Sequence, residues 1–78
     1  MYLKFKGKDG AHFIPFSRFT SAVFQITDGG VMVLVPHYSK VFVKATTKSP
    51  IEIVLALVDL AMRPISGITD VEDTINGN

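Results

Sequence analysis

The chain has no cysteine and only two histidines among its 78 residues. Without thiols, disulfides and thiolate zinc sites are excluded. Two histidines alone argue against a structural metal, and no cofactor is expected. A long apolar run is missing as well. The longest charge-free one lies inside residues 53–58, far short of the roughly 20 residues that cross a bilayer as a helix. The opening Met1-Tyr2-Leu3-Lys4-Phe5-Lys6 alternates charge and bulk, whereas a secretory leader places a charged segment ahead of an apolar one. A cytoplasmic location away from membranes is therefore expected.

A fold this small sits near the size where a single core is marginal, and small folds draw support from disulfides, metals or oligomerisation. With the first two set aside, oligomerisation remains, and the 47% hydrophobic content supplies the surface for it. Charge is unevenly distributed. Residues 1–48 hold seven basic and two acidic side chains (+5), while residues 49–78 hold one basic and five acidic (−4). Such asymmetry marks either a solvated basic strand face, head-to-tail complementarity between subunits, or a nucleic-acid surface.

The period-two pattern of residues 2–6 reads as a half-buried strand, with Leu3 and Phe5 on one side. A glycine-flanked turn over residues 7–10 leads to a return strand over residues 11–16, which Pro15 confines to an edge or an end. Residues 17–21 read as a turn or a single helical turn. Alternation resumes over residues 22–27, and Asp28-Gly29-Gly30 is a hairpin signal. Residues 31–35 are apolar at every position, the mark of a central strand covered on both faces. After a break at residues 36–39, a further strand spans residues 40–45.

Ser49-Pro50-Ile51-Glu52 combines an N-cap serine, proline at the first helical position and a glutamate three residues after the cap, a capping box. It predicts a helix over residues 50–62, stopped by Pro64. Only Glu52, Asp59 and Arg63 interrupt the apolar character of this segment. A helix covered on one side shows water a broad polar face; this one offers a thin strip. One side is expected against its own sheet and the other against a second chain, with Ile53, Val54, Leu57 and Leu60 as the interface. Aspartate at Val54 or Leu57 is then expected to dissociate or unfold the assembly. From Ser66 onward the composition turns polar and acidic, with Ile65, Ile68, Val71 and Ile75 as the only anchors. The expected architecture is thus an α+β domain over residues 1–64, an antiparallel sheet of about five strands with one C-terminal helix, followed by a flexible acidic tail over residues 65–78.

No catalytic constellation stands out. His12, His37 and Tyr38 have no carboxylate at a useful spacing, the serines lack a nucleophile-elbow context, and neither glycine pair opens a helix as a phosphate loop does. Asp70, Glu72 and Asp73 lack calcium-loop spacing. The residues that remain for a ligand or nucleic-acid face are Lys4, Lys6, Lys40 and Lys44, at alternate strand positions, with the turn residues His37 and Tyr38.

Taken together, Gly10, the segment from Pro15 to Phe19, the strands flanking Asp28-Gly29-Gly30 and residues 36–40, Val43, and Ser49 through Leu57 resemble the flagellar and swarming-motility family called FlbD over residues 2–62. That resemblance implies a non-enzymatic regulatory or assembly protein. Short phage chains of this style bind host factors or capture small signals. Two functional expectations follow. One is a small regulatory protein that forms a dimer or tetramer and binds a protein partner. The other is a binder of nucleic acid or a nucleotide through the basic strand face or a pocket between subunits. The capping box carries its own test. Ser49→Ala is expected to lower stability in urea denaturation by about 1 kcal/mol, and an unchanged midpoint would contradict the assignment.

Overall fold

The computed structural model describes residues 1–7, 10–63 and 66–76. The turn at Lys8 and Asp9, the helix stop at Pro64, the anchor Ile65 and the last two residues lie outside the described residues. The alternating segment at the start forms β1 (Tyr2–Gly7), paired antiparallel with β2 (Gly10–Pro15). Leu3 lies opposite Ile14 and Phe5 opposite His12. Leu3, Phe5 and Ile14 turn inward and are buried. Lys4, opposite Phe13, takes the other face, as the period of two requires.

Pro15 ends β2, and the chain turns at once into α1 (Phe16–Phe19), a single helical turn. The Phe16 amide donates to the Met1 carbonyl at 3.0 Å, and the Thr20 amide to the Phe16 carbonyl at 3.1 Å. This turn aims Phe19 inward. Its ring centroid sits 6.1 Å from that of Phe5 and 5.8 Å from that of Phe24, tilted by 45° and 48°, within the range of favourable aromatic pairs.

Phe24 belongs to the second sheet. There β3 (Val23–Thr27), β4 (Gly30–Leu34) and β5 (Val41–Lys44) run antiparallel in the order β3-β4-β5. Gly29 takes a φ of 84° in the β3–β4 turn, a conformation that costs glycine nothing. Gly30 has a different constraint, because a Cβ there would meet the Phe42 ring and the Val43 carbonyl. As expected, the all-apolar strand is the central one. Val31, Val33 and Val35 are buried, while Met32 and Leu34 on the reverse face are half-buried. The β4–β5 connection is a turn in which the Tyr38 amide donates to the Val35 carbonyl at 3.1 Å. Pro36 leads it and His37 follows at a φ of 67°, the arrangement of a type II turn that usually takes glycine there.

The capping box forms as its residues require. The Glu52 amide donates to Ser49 Oγ at 3.4 Å, and the Ser49 amide donates to Glu52 Oε1 at 2.9 Å. It starts α2 (Pro50–Ala61), about 18 Å of helix, which packs Ile53, Leu57 and Leu60 into the core with the β-strand valines. The two hydrogen bonds to Ser49, that from its amide first, hold the Glu52 carboxyl below its ordinary range. Its stabilisation is therefore present above that range and is lost as pH falls through the lowered value.

The architecture is α+β, but not one five-stranded sheet with one helix. Among the described residues, two three-stranded sheets and three helices share a single core. The reason lies in the last residues. After α2 the chain returns as β6 (Ile68–Asp70) and takes the free edge of β1 in parallel register, Tyr2 opposite Ile68 and Lys4 opposite Asp70. This closes the first sheet in the order β2-β1-β6. The chain then forms α3 (Val71–Ile75), capped by Asp70, whose Oδ1 accepts from the Asp73 amide at 3.2 Å. Val71 and Ile75, four apart on one helix face, are buried in the common core. The expected flexible acidic tail is corrected accordingly: over residues 66–76 its few apolar side chains are spaced to serve as a strand and a helical turn.

A chain ending after Arg63 would expose the core beneath Val71 and Ile75. Burying two such side chains contributes about 3–6 kcal/mol, against total stabilities of about 5–15 kcal/mol. The truncated chain is expected to lose its cooperative thermal transition in circular dichroism. Melting within a few degrees of the full chain would contradict the docked position of α3.

Candidate functional site

Two surfaces combine features that a solvated exterior does not need. The first is a cleft of about 420 Å³ where the end of β1 meets β5. Its walls are Lys6, Gly7 and His12 from the first sheet, and Lys40, Val41, Phe42 and Lys44 from the second. The alternation of β5 sets this up: Val41 and Val43 turn inward and are buried, so Phe42 and Lys44 must point out. On the opposite wall the His12 ring lies across Gly7, where any Cβ would come within 2.7 Å of it. Glycine at position 7 thus lets the His12 ring lie against the backbone at the β1 end of the cleft.

Among the described residues, no acidic side chain lines this cleft. Among the described residues, neither Lys40 nor Lys44 has an ion-pair partner. Lys6 differs, since its Nζ donates to Asp73 Oδ1 at 3.1 Å and its backbone amide to Glu72 Oε1 at 3.2 Å. The hydrogen bond to Asp73, ahead of the charges of Asp73 and Asp70, raises the Lys6 ammonium above its ordinary value. Lys6 therefore offers the cleft its alkyl stem, and the open positive charge comes from Lys40 and Lys44. A smaller groove of about 300 Å³ between α2 and α3 is lined by Lys48, Ala56, Asp59, Leu60, Arg63, Thr74 and Ile75. Its charges include the Asp59–Arg63 pair, closed on itself.

The second surface is the outward side of α2. Ile51, Leu55, Val58 and Met62 are 60%, 64%, 39% and 79% exposed. Their 4-3-4 spacing is that of a coiled-coil seam. Close by, β3 is an edge strand with no charged residue, and its Ile26 is exposed on the face it shares with Val31. Charges on an edge strand normally deter pairing with another chain.

These placements revise the sequence reading residue by residue. Of the expected interface, Ile53, Leu57 and Leu60 lie in the chain's own core and Val54 is only partly buried against it. The correction follows from helix phase: the stripe that docks on the strands runs 53-57-60, so the bare stripe is 51-55-58-62. Of the expected ligand face, Lys6, Lys40 and Lys44 meet in the cleft. Lys4 lies on the β1 face shared with Phe13 and Asp70. His37 and Tyr38 occupy the β4–β5 turn and do not line the cleft. Sequence reasoning passed over Phe42 and Gly7 and ranked His12 below His37. The glycine-flanked β1–β2 turn was the available signal, because pairing Gly7 with Gly10 carries His12 to the end of the sheet.

Among the described residues, no group of three His, Asp or Glu side chains is placed to hold a metal ion. No helix there is long and apolar enough to cross a membrane. Comparisons with protein-family models, curated proteins and solved structures return no match to this chain.

One carboxyl near the cleft has an unusual environment. Burial against the end of β1 raises Glu72 above its ordinary value, opposed mainly by the Lys6 amide that donates to it. A raised acid binds its proton more tightly in the folded state, so stability falls as pH rises from the ordinary carboxylate range through the raised value. Glu72→Gln keeps the acceptor for the Lys6 amide and removes the charge. The variant is expected to melt above the parent at pH 7, with the gap closing as pH drops below the ordinary glutamate range. Melting below the parent at pH 7 would mean that attraction to Lys6 outweighs burial.

Proposed function

We propose that this chain is a small non-enzymatic regulatory or interaction protein that works as a homo-oligomer and acts by binding another protein. The observation that carries the reading is the two-sided α2. One stripe, Ile53, Leu57 and Leu60, is consumed by the chain's own core, while a second and longer one, Ile51, Leu55, Val58 and Met62, is bare. Apolar side chains scattered singly on a surface need no partner, whereas a contiguous stripe marks an interaction site.

A second copy fits that stripe through a two-fold axis, which makes one patch complementary to itself. An antiparallel pair of α2 helices sets Ile51 across from Met62 and Leu55 across from Val58. It also brings Glu52 of one copy toward the Arg63 end of the other. β3, an uncharged edge strand, packs next to α2 and offers further surface for such a contact.

Substitutions on the two stripes separate this interface from the core. Leu55→Glu is expected to give a folded protein with an unchanged far-ultraviolet spectrum that sediments as a monomer. Leu57→Asp, which puts a charge into the closed core, is expected to abolish folding. If the parent protein already sediments as a monomer at high micromolar concentration, or Leu55→Glu leaves its oligomer intact, the reading fails.

A further inference from the structure

We infer that the cleft between β1 and β5 is a binding site for a single nucleotide-class ligand, a planar ring carrying a phosphate. Three features converge on that chemistry. Phe42 stands half-exposed on the outward face of β5, packed over Gly30, and contributes an aromatic ring to the lining of the cleft. Lys40 and Lys44 lie two residues to either side of it and line the same cleft. They place two ammonium groups without ion-pair partners among the described residues beside the ring. Across the cleft, His12 adds a ring whose nitrogens can hydrogen-bond the ligand, and Gly7, which has no Cβ, lets that ring lie against the backbone.

An aromatic face stacks on any nucleobase, and lysines are standard phosphate binders. The volume of about 420 Å³ falls within the range of small-molecule pockets, about 300–1,000 Å³. A groove that tracks a nucleic-acid strand sets out several aromatic platforms in succession. This cleft has one, which favours a mononucleotide over a polymer. The site is built within one copy of the chain, so it stands or falls independently of self-association.

Isothermal titration of the full-length protein with AMP and GMP tests the assignment, with inorganic phosphate, adenosine and a ten-nucleotide single strand as comparisons. The expected result is saturable binding of at least one of the two nucleotides at one site per chain, tighter than either phosphate or adenosine. Phe42→Leu, which keeps bulk over Gly30 but removes the π face, is expected to weaken it about tenfold or more. Lys44→Glu is expected to weaken it by at least as much. Arg18→Glu, the same charge change on exposed α1, is expected to leave binding within about twofold at 0.15 M salt, where charges beyond about 8 Å are largely screened. Circular dichroism of each variant confirms that it is folded. Absence of saturable binding by both nucleotides overturns the proposal. So does equal weakening by Arg18→Glu and Lys44→Glu, or tighter binding of the single strand than of either mononucleotide.

Discussion

Ile53, Leu57 and Leu60 hold α2 against the β3-β4-β5 sheet, and the other layers take their positions from that contact. The helix occupies the inner face of the second sheet, so the first sheet must close the remaining side of the same core. Phe19 makes the junction, its ring packed against both Phe5 of one sheet and Phe24 of the other. A chain with no disulfide and few residues cannot maintain two cores, and the buried hydrophobic residues of both sheets and all three described helices indeed form one cluster. No buried polar side chain interrupts it among the described residues. The interior is therefore held by burial and shape alone, and the polar chemistry is left to the surface.

Much of this was legible from the residues. Alternation marked β1, β2, β3 and β5, the Asp28-Gly29-Gly30 signal located a hairpin, and Ser49-Pro50-x-Glu52 marked the first turn of α2. These features are local: a period of two or a capping box is complete within a few residues. Sheet membership is not local. Nothing in residues 2–7 says whether the free edge of β1 pairs with β5 or with a strand some sixty residues on. The polar composition after Ser66 concealed the strand that does pair there. Val71 and Ile75 carry the helical spacing, but two apolar residues among carboxylates read as a tail until the core they complete is visible.

The functional surfaces divide along the same line. That α2 has more apolar surface than one sheet can cover follows from composition. Which stripe remains bare follows from helix phase, which a nearly all-apolar helix leaves open. A segment with apolar residues at 51, 53, 54, 55, 57, 58, 60 and 62 offers several stripes, and only contact with β3 and β4 selects among them. The cleft required the third dimension outright. Lys6 and Lys44 are far apart in sequence, and Phe42 looked like an ordinary strand residue before Gly30 and the edge of β5 were seen to set its ring outward. The carboxylates that looked like solvated tail residues instead engage Lys6, leaving the cleft's open charge to Lys40 and Lys44.

In the proposed assembly α2 uses both its sides, one inside the chain and one against a second copy. Isotope-filtered nuclear Overhauser measurements on a mixture of labelled and unlabelled protein address it most directly. The account predicts intermolecular contacts among the methyl groups of Ile51, Leu55, Val58 and Met62, with Ile53, Leu57 and Leu60 showing only contacts within their own chain. Intermolecular signals confined to other surfaces, or none in a sample at millimolar concentration, would contradict it.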